Sequence, residues 1–262
     1  MRKLPALCLI LSLTACEGAD PHLSNAVATA LGKSSVKITQ SNSNQVPLPV
    51  RQPPTQRKVN VGLKPFSTDS NDSCESNDPR QICLGLKYVV YEDGSLNLES
   101  GNQKALSNIG EVNKIWEACQ IRFSIRDYAL VKPNEFGLKQ RTSDFQQLEE
   151  IRKAFQPKSQ EKNLLVVVTD NWNRSGSLGN SWANAWTKLP GERLLGSIVE
   201  RRVGDDITII AHELGHYLSL DHEEDWRNLM NPLIFENSRD LVPAQCSAAR
   251  WAAKNYFLVP ES

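Results

Sequence analysis

The chain has 262 residues, with 30 basic and 30 acidic side chains and therefore no formal net charge. Forty per cent of it is hydrophobic, enough for one ordinary core but not for a core spread over the whole length. No basic stripe or interleaving of aromatic with basic residues is present, so nucleic acid is not an expected partner.

In chain order, Arg2 and Lys3 form a short positive region ahead of an apolar run from Leu4 to Leu13, too short to span a bilayer. The run ends in Leu13-Thr14-Ala15-Cys16, which resembles the lipobox of bacterial lipoproteins. That resemblance implies a signal segment over 1–15, lipid modification of Cys16 and an extracytoplasmic, membrane-anchored chain. Glu17 follows the cysteine, which in a cell with two membranes implies the outer one. The competing reading is an ordinary secretory signal with an incidental cysteine. Residues 16–72 are rich in Ser, Asn, Gln, Thr and Pro, with Phe66 the one aromatic. Such a stretch buries too little apolar surface to offset its ordering entropy. It is expected to be a tether with a reach of roughly 40 Å; a small pro-segment is the alternative. His22 is expected to be solvated.

Four cysteines follow: Cys74, Cys83, Cys119 and Cys246. In an exported chain they are expected to form two bridges, Cys74–Cys83 as a local loop and Cys119–Cys246 as a long-range staple, although three pairings are open. A domain is expected over 73–262, with order beginning near Leu84. Lys87–Tyr91 reads as a strand, and residues 103–119 as a helix with an apolar face of Ile109, Val112, Ile115, Trp116 and Cys119. Ile121–Ile125 alternates as a strand does, and 143–155 reads as a second helix ended by Pro157. Leu164–Thr169 is a β-branched run expected in the middle of a sheet. Trp182–Trp186 reads as a short edge strand whose tryptophans face either core or substrate, and Ser197–Glu200 as a further strand. Residues 243–257 read as a closing helix with proline in its first turn, carrying Trp251 and Tyr256 as core residues.

Three of the four histidines fall in His212-Glu213-Leu214-Gly215-His216-Tyr217-Leu218-Ser219-Leu220-Asp221-His222. On a helix capped by Asp205 or Asp206, His212 and His216 are four apart and share a face. A catalytic zinc takes three protein ligands and keeps one position open, and Glu213 lies close enough to act on water without being a ligand. The apolar lead-in, 207–211, makes this a buried helix. Two imidazoles and a carboxylate buried without partners would cost several kcal/mol, a cost that a metal removes.

With Asn228-Leu229-Met230-Asn231-Pro232, eight residues past His222, the chain resembles the metzincin zinc peptidases. Met230 is one of only two methionines. The resemblance implies His212, His216 and His222 as ligands of one catalytic zinc, Glu213 as general base and Met230 as the methionine beneath the metal. The implied fold is α+β: a twisted mixed sheet with a zinc-binding helix, a further N-terminal helix and a C-terminal helix. The pattern departs from the family where a glycine is expected, because Ser219 stands there; a non-glycine residue at positive φ costs about 1 kcal/mol. The subfamily is matrixin-like. Asp78–Cys83 faintly resembles the inhibitory cysteine segment of matrixin proforms, with different spacing.

The expected activity is hydrolysis of peptide bonds in extracytoplasmic proteins by a monomer. The edge strand near Trp182–Trp186 would pair with substrate, Leu233, Ile234 and Phe235 would wall its pocket, and Asp221 and Glu223 would either support the ligands or be solvated. The alternatives are a tethered zinc-containing binding module without catalysis, and an enzyme acting on a non-peptide amide of the envelope.

Overall fold

A computed structural model describes residues 78–257 apart from Leu96, 158–162, Trp182, 191–194 and Glu236. The expected signal (1–15), the tether (16–72), Cys16, His22 and Cys74 lie outside the described residues. In chain order the principal elements are β1 (Ile82–Tyr91), α1 (Leu98–Trp116), β2 (Ile121–Val131), α2 (Phe145–Phe155), β3 (Leu164–Thr169), β4 (Ala185–Thr187), β5 (Ser197–Glu200), α3 (Ile207–Tyr217) and α4 (Pro243–Ala252). Among the described residues the sheet has the order β2-β1-β3-β5-β4, parallel except for the antiparallel edge strand β4. This is the mixed sheet that the metzincin resemblance implied.

β1 begins five residues before the expected Lys87. Gly85 breaks the pattern of side chains, and the Asn163 side chain takes the space beside it: a Cβ there would come 2.1 Å from Asn163 Oδ1. β2 runs six residues past Ile125. The register against β1 shifts between Leu86 and Lys87, opposite Ile125 and Asp127, so Arg126 is an extra residue. Such a bulge inverts the alternation. Phe123 and Ile125 point into the core on odd positions, and Tyr128 on an even one. α1 starts five residues earlier than its apolar face suggests, because the Asn97 side chain accepts from the Ser100 N–H at 2.8 Å and caps it. α2 is capped in the same manner by Asp144.

The sheet carries a core on each face. One buries Leu86, Tyr88, Val166 and Val168 against α1, α3 and α4, with Trp116 at its centre. The other buries Val89, Tyr91, Leu165 and Val167 against α2. β3 is buried along its whole length, as its β-branched run requires. The Cys119–Cys246 bridge joins the end of α1 to α4. Cys83 is also disulfide-bonded; its expected partner, Cys74, lies outside the described residues. Trp251 and Tyr256 are not core residues. They are 58% and 47% exposed and pack edge to face on each other, while Ala249, Ala252 and Ala253 supply the buried face. Small residues let α4 and the turn after it approach closely, and the large aromatics Trp251 and Tyr256 are left outside. No helix among the described residues is long and apolar enough to cross a membrane.

Candidate metal centre

α3 starts where Asp206 accepts from the Thr208 and Ile209 N–H groups. Every residue from Thr208 to Tyr217 is buried, and the Tyr217 hydroxyl accepts from Leu165 N–H, fixing the helix to β3. Trp116 on α1 donates its indole N–H to Ala211 O at 3.2 Å. The helix ends in a two-bond C-cap: Leu220 N–H donates to Gly215 O and Ser219 N–H to His216 O, each at 3.0 Å. Ser219, between them, has φ +62°. The non-glycine residue therefore accepts the left-handed conformation, and the chain turns back as it would with glycine. Buried Leu220 anchors the turn.

That turn brings His222 back onto α3. His216 Nε2 and His222 Nε2 lie 3.2 Å apart, close to the separation of about 3.3 Å implied by zinc–nitrogen bonds of about 2.0–2.1 Å in a tetrahedral site. The ligand atoms of His212, His216 and His222 all lie within 4.8 Å of one another. Carbonyl groups fix two of the tautomers. His212 Nδ1 donates to Leu229 O at 2.7 Å and His216 Nδ1 to Leu220 O at 2.8 Å. Each Nε2 thus presents a lone pair to the same point. Burial, followed by the neighbouring imidazole, pushes the His212 pKa well below the usual histidine value and His216 down to about 4. His222, the most open of the three, is lowered by burial against an opposing effect of Asp221. Neutral imidazole is the ligating form. His212 Nε2 is fully buried without a hydrogen-bond partner. An orphaned nitrogen beside two others that point at it is the chemistry a divalent cation satisfies, so the residues fit the expected metal.

The Met230 turn lies beneath. Met230 is fully buried, and a Cβ on Gly215 would come 2.4 Å from its Sδ. Glycine at position 215 is therefore a requirement of the methionine's approach. Leu229, whose carbonyl orients His212, is held by its N–H on Asp240 O at 2.8 Å, and Asn228 exchanges two hydrogen bonds with Gln245 of α4. Glu223 N–H donates to Met230 O, and Asn231 Nδ2 to Glu223 O and Glu224 O. The side chains of Asp221 and Glu223 are exposed.

The edge strand faces α3. Thr187 of β4 hydrogen-bonds through its hydroxyl to the buried carboxylate of Glu213, and lies 2.7 Å from the Ser197 hydroxyl of β5. Trp186 packs on Phe145 at 4.5 Å between ring centroids, on the α2 side of the sheet, so it is a packing residue. Trp182 lies outside the described residues. Of the expected pocket wall, Ile234 is buried with Ile209, Ala185 and Val199 between α3 and the edge strand, while Leu233 and Phe235 are exposed. Two arginines fix the strand. Arg152, fully buried on α2, donates to Trp186 O at 2.6 Å and Gly196 O at 2.8 Å. Arg174 gathers Leu178 O, Ala183 O, Asn184 Oδ1 and the Glu200 carboxylate around one guanidinium. Thr187, Arg152 and Arg174 carry no sequence signal, because most of their partners lie 9 to 44 positions away.

The helix, the three histidines and the methionine turn make up the arrangement that the metzincin resemblance implies. Residues 103–223 match the profile of a family described as metallo-peptidase family M12B, reprolysin-like. No curated protein matches the chain. Solved structures similar to it include metalloproteinase-II from Bacteroides fragilis (14% identity, TM-score 0.46, covering 68% of this chain and 55% of that one). Another is a chaperone–substrate complex (13%, 0.47, 68% and 36%). A third is mature mirolysin from Tannerella forsythia in complex with a cleaved peptide (11%, 0.48, 65% and 90%). The chain thus spans about half and about a third of the length of the first two.

Proposed function

We propose that the chain is a zinc-dependent endopeptidase acting on extracytoplasmic proteins, anchored through lipid on Cys16. The observation that carries this reading is the Glu213 carboxylate, buried beside three converging imidazole nitrogens and beneath an antiparallel edge strand. A purely structural site needs no base at that position. His212, His216 and His222 would hold the metal, which when bound supplies Lewis acidity and an acidified water. Glu213 takes a proton from the attacking water and returns it to the departing amine. Thr187 holds the carboxylate in place from the strand. The outer edge of β4 offers its backbone to an extended peptide, so that main-chain pairing aligns the bond to be cut. Anchoring is supported by the pattern from Arg2 to Cys16.

Metal content and cleavage of a mixed peptide library, compared between the natural chain and Glu213→Ala, test the reading. Both forms are expected to retain one zinc. Cleavage should fall by about 10²–10⁴-fold in the variant, the usual contribution of a general base. Zinc without cleavage by either form points to the tethered binding module, and no zinc after metal-replete purification sinks the reading altogether. Cys16→Ala is expected to move the protein from the membrane to the soluble fraction.

A further inference from the structure

We infer that the carboxyl ends of the parallel strands form a second ligand site, a pocket for a small α-amino acid, separate from the metal centre. The topology opens it. From β1 the chain crosses to β2 through α1 on one face, then returns through α2 on the other face to β3, on the far side of β1. Connections that part in opposite directions leave a crevice beyond the strand ends, the common ligand position in such sheets. A cavity of about 200 Å³ lies there, with none of the three histidines in its wall. It is smaller than a drug-sized site of about 300–1,000 Å³, which limits the occupant to one small molecule.

Two wall residues carry buried polar atoms that make no hydrogen bond: the Tyr128 hydroxyl and Arg201 Nε. Tyr128 is 2% exposed, and its hydroxyl lies against Gly101, another wall residue, where a Cβ would come within 2.2 Å. Burial pushes the phenol up to about 12, so it stays a donor. The other nitrogens of Arg201 are engaged by Asp93 and Tyr91 O, while Nε–H makes no hydrogen bond and has only the Asp170 carboxylate near it, at 4.0 Å. Buried donors without acceptors are costly, and a ligand carboxylate answers both. A bare carboxylate would also face Asp93 and Asp205, which line the same cavity; Asp205 pairs with Lys104 at 2.6 Å. A ligand carrying an ammonium beside its carboxylate meets both signs. Val90, Ala105 and Val168 supply an apolar surface for its side chain.

Calorimetric titration of the zinc-loaded full chain with L-leucine tests this independently of proteolysis. Saturable binding is expected with a Kd below about 1 mM. Removing either charge, with 4-methylpentanoate or leucinamide as probe, should weaken it by about tenfold or more, as should Tyr128→Phe. Asp205→Asn, on the rim, serves as the second variant should Tyr128→Phe fail to fold; it removes a carboxylate that the ammonium meets, and it too should weaken binding. The proposal is overturned by absence of saturable binding up to about 10 mM, by 4-methylpentanoate binding as well as leucine, or by unchanged affinity in whichever of the two variants folds with its zinc retained.

Discussion

On α3, His212 and His216 share a face because they are four residues apart, and the turn that adds His222 is complete within the next six. On β4, three residues long, nothing comparable is local. Thr187 reaches Glu213 across 26 positions, Trp186 is held by Arg152 across 34, and the approach to the strand is gathered by Arg174. The metal half of the site is thus a property of one segment, whereas the half proposed to hold substrate belongs to the fold. Changes on α3 should abolish chemistry while leaving the fold. Changes around β4 should act through stability or positioning while leaving the metal.

The largest effect is expected at His216. In His216→Ala the lone pair opposite His222 is gone, and zinc affinity should fall by more than about 100-fold, beyond the usual loss on removing a supporting group. Cleavage should disappear with it, and the far-ultraviolet circular dichroism should not change. Retention of zinc at full stoichiometry would falsify the ligand assignment.

The opposite test is Arg174→Leu. The Glu200 carboxylate, 3% exposed, would keep only Arg202 as an ion-pair partner, and Arg202 is half exposed. Breaking a buried pair from one side costs about 3–5 kcal/mol, and the surviving partner places this change near the lower end. Chemical denaturation should show that loss while the zinc content of the folded protein stays at the natural level. A stability loss below about 1 kcal/mol would remove Arg174 from the account of the edge strand.

This division explains what was legible beforehand. His212, Glu213, His216, Met230 and the buried strand Leu164–Thr169 show themselves through spacing or composition within a short window. The first strand was expected to begin only after Gly85 and the second to end before Arg126, because both irregularities are tertiary: one a close approach by Asn163, the other a bulge that inverts the alternation. The Asn97 cap was readable in principle, since asparagine with serine three residues on is a start signal. Trp251 and Tyr256 were misread because helical spacing shows that a face exists but not which face is covered. Thr187, Arg152 and Arg174 were not legible at all, being ordinary residues made functional by what lies across from them.

A finer test of the edge strand is Thr187→Val, which preserves shape and removes the hydroxyl beside Glu213. A hydrogen bond to a charged group is worth about 1.5–3 kcal/mol. If part of that is expressed in positioning the base, kcat should fall by about tenfold with KM and zinc content unchanged, and Thr187→Ser should restore most of it. A change in KM alone would mean that Thr187 serves the substrate backbone and not Glu213.

The smallest effect concerns Ser219, where the metal half must turn the chain sharply without losing the geometry it serves. With φ at +62°, the serine pays about 1 kcal/mol relative to a residue at home in that conformation. Glycine removes the strain but gives the unfolded chain more freedom, so the net gain in Ser219→Gly is less than the strain itself. An increase in Tm of about 1–3 °C is expected for a domain of this size. The C-cap bonds from Ser219 and Leu220 are made by backbone N–H groups and survive the substitution, so zinc affinity should not move. If affinity fell while Tm rose, the rigidity supplied by a side chain at position 219 would be what holds His222 against His216, and the local description of the metal half would have to include it.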